Sequence, residues 1–126
     1  MVTEVIMLAT LLGRPTFLID AVWKAGGLDA VALVECESHF NPRALRHEPR
    51  GYTSWGLYQI DNEFHPQWRN DILMHIVEGQ SFLNSCKKQT RELRYVVALY
   101  NGSLTWGKIV ERKRDSFALY LWRHLR

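Results

Sequence analysis

A chain of 126 residues, 47% of them apolar, is the size of one ordinary domain and can bury a core without a structural metal or a disulfide framework. The formal net charge of +3 is modest, and the clusters Arg46/His47/Arg50, Lys87/Lys88/Arg91/Arg94 and Lys108/Arg112/Lys113/Arg114 fit an anionic partner as well as plain solvated helix faces. Cys36 and Cys86 lack C-x-x-C spacing, and no H-E-x-x-H, G-x-S-x-G or phosphate-cradling glycine loop occurs, so metal, cofactor, serine-hydrolase and nucleotide chemistry are not expected.

The first predicted element is the apolar run Val5 to Leu12. Glu4 precedes it, a basic region does not, and it is too short to span a bilayer, so it reads as a first packing helix and poorly as a signal peptide. Pro15 suits a helix start and Gly26-Gly27 a helix end, which makes "PTFLIDAVWKA" a short second helix. A third begins at about Leu28. Its residues Leu28, Ala30, Val31, Ala32, Leu33, Val34 and Cys36 are apolar on every side, the pattern of a helix surrounded by protein, and Pro42 marks its limit.

From Asn41 to Trp68 proline, glycine, asparagine and aromatics crowd together without a sustained period, which predicts turns and a short β-hairpin. Helical spacing returns at Asp71, with Ile72, His75/Ile76, Gly79, Phe82/Leu83 and Cys86 on one stripe. "RELRYVVALY" follows with Thr90 as its cap, and a last amphipathic helix runs from about Lys108 to His124. No repeat, low-complexity tract or linker interrupts residues 1 to 126. The fold class expected is mainly α, a helical lobe around a central buried helix, with a small irregular or β-hairpin lobe forming a cleft.

Within "VECESHFNPRAL" two glutamates stand two positions apart. Two residues turn a helix by about 200°, so Glu35 and Glu37 point to opposite sides, and apolar neighbours precede both. Position separates them: Glu37 lies in the last turn, beside the loop, where the helix dipole and apolar surroundings both disfavour its ionised form. A carboxyl held protonated at the mouth of a cleft is what glycosidic cleavage needs, because the leaving oxygen must receive a proton as the bond breaks. The competing role is an ion pair with a nearby arginine such as Arg43.

The blocks "ESHFNPRAL", "SWGLYQID" and "VVALYNGS", in this order across residues 33 to 102, resemble the lysozyme-like superfamily, in particular the soluble lytic transglycosylases and goose-type lysozymes. The resemblance implies a lysozyme-like α+β fold and places the family's catalytic acid at Glu37, with Glu35 structural. It further implies substrate contacts at Gln59, at Gly56, where backbone would pass close beneath the sugar, and at Tyr100 and Asn101. In c-type lysozymes the second carboxylate stands two residues before the glycine of the middle block. Ser54 occupies that place, so covalent retention through it is not expected.

The activity implied is cleavage of the β-1,4 bond between N-acetylmuramic acid and N-acetylglucosamine in peptidoglycan, as a lytic transglycosylase that leaves 1,6-anhydromuramic acid ends. A goose-type hydrolytic muramidase using Glu37 and Asp61 is the nearest alternative, since that family carries an aspartate in the matching place. Asp61 is equally placed to cap a turn. Tyr52, Trp55, Tyr58, Phe64, Trp68 and Trp106 are candidates to stack on pyranose rings, although most such aromatics pack in cores. A non-catalytic sugar-binding or phage structural module is the rival from another class. The partner expected is the glycan strand, outside the cytoplasmic membrane, met by a monomer without a membrane segment; nucleic acid is not expected.

Overall fold

A computed structural model describes residues 1–49, 51–61 and 71–125 of the chain. Five helices and a three-stranded antiparallel sheet make up these residues, a mainly helical fold with a small β lobe.

Helix α1, Thr3–Leu12, buries Val5, Leu8 and Ala9 and stops at Gly13, whose left-handed φ of 65° ends the hydrogen-bonded run. Helix α2, Thr16–Ser38, is broken at Gly27, where the backbone is non-helical (φ 67°, ψ −156°), so the two helices expected here meet at a sharp kink and share one label. Beyond the kink, Ala30, Val31, Ala32, Leu33 and Val34 are each 0% exposed. Five consecutive buried residues cover every side of a helix, which makes this half of α2 the axis of the core.

After α2 the chain turns through His39 and Phe40, both at positive φ, into β1 (Leu45–His47), β2 (Thr53–Trp55) and β3 (Ile60–Asp61), in the order β1-β2-β3. Arg46 pairs with Ser54 and Ser54 with Asp61, so polar residues of all three strands meet in one row.

Helix α3, Ile72–Lys87, is capped by Asp71, whose carboxylate accepts from the Met74 N–H. Of the expected stripe, His75, Ile76, Gly79, Leu83 and Cys86 are buried, but Ile72 and Phe82 are 38% and 41% exposed. Helix α4, Leu93–Asn101, follows Glu92, so Thr90 is not its cap. It buries Leu93, Val96, Val97 and Tyr100 at helical spacing. Helix α5, Leu104–His124, begins before the expected Lys108, because the Ser103 hydroxyl accepts from the Trp106 N–H and caps an extra turn.

Helices α4 and α5 pack closely against each other and α5 lies against α2. The α4–α5 crossing is tied by Arg94 to Glu111 at 2.6 Å, and Lys87 and Arg114 both reach Asp29 of α2. Cys36 and Cys86 are both free thiols. Among the described residues no helix is long and apolar enough to cross a membrane.

Candidate active site

The two glutamates of α2 have opposite fates, as their 200° separation requires. Glu35 faces α1 and holds Arg14 through a bidentate contact, with Nη2 to Oε1 at 2.7 Å and Nε within 3.2 Å of both oxygens. It is a structural residue that ties the end of α1 to the core helix. Glu37 faces the other way, into a cleft of about 830 Å³ that separates the helices from the β lobe.

Glu37 is 8% exposed, and its two carboxyl oxygens are unequally served. Oε1 accepts from the indole N–H of Trp106, at the start of α5, and from Asn101 Nδ2 at 3.4 Å, at the end of α4. Oε2 has Arg46 Nη2 at 3.5 Å, close enough for charge attraction but long for a hydrogen bond. Oε1, which accepts two N–H groups, is therefore the carbonyl oxygen when the group is neutral, and Oε2 carries the proton. Burial raises the pKa above the usual carboxylate range and the nearby Glu48 charge adds to this, while Trp106, Arg46 and Asn101 act in the opposite sense. The arginine beside Glu37 is thus Arg46 and not Arg43.

The β lobe forms the facing wall. Arg46 lies across from Ser54 in the ladder, and Glu48 follows in the connection to β2. The Ser54 hydroxyl donates to Glu48 Oε1 at 2.8 Å, and Arg46 Nε donates to the same oxygen at 3.1 Å. Ser54 cannot be a carboxylate, but it holds one. Glu37 and Glu48 touch the same guanidinium, which puts their facing oxygens no more than about 9 Å apart, the span of that planar group and its two contacts.

Gly56 packs against α3. Its φ is +77°, and a Cβ there would come within 2.5 Å of the His75 ring, so this close approach by itself requires glycine. His75 Nε2 in turn accepts from the Tyr58 N–H at 2.9 Å. This joint fixes the turn between β2 and β3 against the helical body.

Gln59 lines the cleft at 7% exposure, with a left-handed φ of 51°. Its amide nitrogen donates to the Ala44 and Gly56 carbonyls at 3.1 and 2.9 Å, so contact with a ligand falls to its carbonyl oxygen. Tyr100 also lines the cleft, but its hydroxyl donates to the Tyr58 carbonyl at 2.6 Å, and its ring stacks at a tilt on Phe82. It is positioned beside Glu37 without a hydrogen bond to it, and burial pushes its phenol pKa well above the usual value. Asn101 does reach Glu37, and its Oδ1 accepts from the Ser103 N–H, which fixes the amide orientation. Asp61 stands on β3 at the cleft wall.

Among the aromatics, Tyr52, Phe82 and Trp106 line the cleft, whereas Tyr58 is fully buried and Trp55 nearly so. Phe64 and Trp68 lie outside the described residues. Sequence reasoning missed Glu48 and the Arg46 bridge. It named Trp106 only as a stacking ring, with no link to Glu37. The one signal for Glu48 was its place six residues before Ser54 in a predicted hairpin, which becomes informative only with the register known.

The chain matches no family model, no curated protein and no solved structure.

Proposed function

We propose that this protein cleaves the β-1,4 bond between N-acetylmuramic acid and N-acetylglucosamine in peptidoglycan, as a lytic transglycosylase with Glu37 as its single acid and base. The observation that carries the reading is a carboxyl in the lining of an open cleft with its side chain only 1% exposed, Oε1 accepting two N–H groups and Oε2 3.5 Å from Arg46. A buried acid with a raised pKa, reachable by ligand, is what protonation of a leaving sugar oxygen requires. The motif resemblance supplies the substrate class.

In this reaction the glycosidic C1–O4 bond breaks with its electron pair on O4, and O4 takes the Oε2 proton of Glu37. The substrate's own acetamido oxygen bonds to C1 in place of the leaving group, a known alternative to a carboxylate nucleophile. The 6-hydroxyl oxygen of the same sugar then displaces it, and the hydroxyl proton returns to Glu37. Water is not consumed. Trp106 and Asn101 hold the carboxylate formed in between, because both donate to Oε1.

A second reading is hydrolysis by the same acid, as in the goose-type lysozymes. The observation in its favour is that Asp61 lines the same cleft. Mass analysis of released muropeptides separates the two: anhydro ends are lighter than reducing ends by one water. The non-catalytic rival predicts wall binding without release of either.

A further inference from the structure

Besides Glu37 and Asp61, the cleft holds a further carboxylate, Glu48, and a cation, Arg46, that contacts both Glu37 and Glu48; neither Glu48 nor Arg46 has a role in the reaction as written. Arg46 is 50% exposed along its side chain, yet it reaches two carboxylates from one position on β1. Its two contacts are unequal. Nε donates to Glu48 at 3.1 Å, a true hydrogen bond, while Nη2 stands 3.5 Å from Glu37 Oε2. Glu48 is itself anchored by Ser54 at 2.8 Å. The guanidinium is therefore drawn toward the β lobe and held just off the oxygen that must carry the proton.

We infer that Arg46 and Glu48 are an opposed pair of positioning residues: Arg46 competes with the proton for Glu37 Oε2, and Glu48, anchored by Ser54, restrains Arg46 from taking it. The inference rests on Glu37 being the acid of the proposed reaction. Before the first step Glu37 must be neutral, and a cation hydrogen-bonded to Oε2 would hold it ionised. After the proton has left, the same cation lies near enough to stabilise the anion. One residue pair thus serves both states, with Glu48 setting the balance.

The groups facing Glu37 from each neighbouring element leave these two as the charged partners most directly placed. From α4 come Tyr100, whose hydroxyl is bound to Tyr58, and Asn101; from α5 comes the Trp106 indole. From α2 itself comes Cys36, a thiol pushed up to about 11 by burial and hence neutral. Helix α3 contributes the uncharged Phe82, and β3 contributes Asp61 at the cleft wall. Glu35 and Arg14 are paired with each other through the opposite side of α2. The signs agree with the pair's assigned roles, for Arg46 draws the Glu37 pKa down and Glu48 draws it up.

Carboxyl-carbon NMR on glutamate-labelled protein follows Glu37 through a pH titration in the parent, Arg46→Gln, Arg46→Lys and Glu48→Gln, alongside pH profiles of wall cleavage. The Glu37 midpoint is expected to rise in Arg46→Gln and fall in Glu48→Gln, each by a few tenths to about one pH unit, as partly exposed pairs allow. Arg46→Lys keeps the charge and stays nearer the parent. The alkaline limb of cleavage, where the acid loses its proton, moves the same way in each variant. Loss of packing alone cannot shift two variants in opposite directions. Midpoints that do not move, or move together, overturn the pair, and either variant alone tests its own sign. A parent that leaves walls uncut while the midpoints diverge would remove the proposed reaction and leave the pair standing; cleavage with unmoved midpoints would do the reverse.

Discussion

Glu35 and Glu37 share a helix turn and a side-chain type, and differ in which side of α2 carries them. Glu35→Gln breaks the bidentate contact with Arg14, so about 1–3 kcal/mol of stability should be lost, while wall cleavage by the folded fraction is retained. Glu37→Gln should do the opposite, with cleavage falling on the order of 10²- to 10⁴-fold, the usual scale for a general acid. Its stability effect has a sign. Burial raises the folded-state pKa of Glu37 above the unfolded value, so the folded state binds this proton more tightly. That contribution is fully present below the unfolded pKa and is lost as pH rises through the folded one. Glutamine does not titrate, so the melting temperature of Glu37→Gln should gain on the parent as pH rises from acid to neutral; paired thermal melts at both ends of this range measure it. A variant that loses ground to the parent as pH rises would contradict the burial argument. Tyr100→Phe removes one buried hydrogen bond to the Tyr58 carbonyl. A stability loss of about 1 kcal/mol is expected, larger than any change in turnover, because that hydroxyl does not touch Glu37.

At the scale of elements, the site depends on how closely α4 and α5 approach. Both of the N–H groups on Glu37 Oε1 come from this pair, Asn101 from the end of α4 and Trp106 from the start of α5. Gly107 sits where they cross, and a Cβ there would lie 2.0 Å from the Arg94 carbonyl oxygen, a backbone atom that cannot swing aside. Gly107→Ala should therefore push the two helices apart, cost on the order of 1–3 kcal/mol, and reduce cleavage by displacing Trp106 from Glu37. Thermal melting and turnover read together test this; loss of stability with turnover unchanged in the folded protein would show that Trp106 is not held by the crossing. The same crossing explains what the sequence conceals here. Helix α5 starts at Leu104, four residues before the expected Lys108, because the Ser103 hydroxyl caps it, and the Trp106–Glu37 contact joins positions 69 apart. Periodicity reports which face of a helix is buried and says nothing of which remote residue meets it.

For the whole molecule, the legible parts were those with a local cause. The core half of α2 could be read because apolar residues on every side leave a helix no solvent face, and Glu37 could be separated from Glu35 because helix geometry sends them to opposite sides. The facing wall could not be read in the same way. Glu48 enters the cleft only through the β1–β2 register and the Ser54 hydroxyl, and Arg46 rather than Arg43 meets Glu37 because the strand begins where it does. Phe82, assigned to the core by its spacing, is exposed because the cleft opens beside it. The helical body thus carries Glu37, the β lobe carries the charges that act on it, and in the proposed function the cleft between them receives the glycan strand. The measurement that tests this account most directly is mass analysis of the muropeptides released from purified peptidoglycan by the parent and by Glu37→Gln at equal folded concentration. Fragments with 1,6-anhydromuramic acid ends are expected from the parent and almost none from the variant. Walls left intact by the parent, or cut equally well by both, would contradict it.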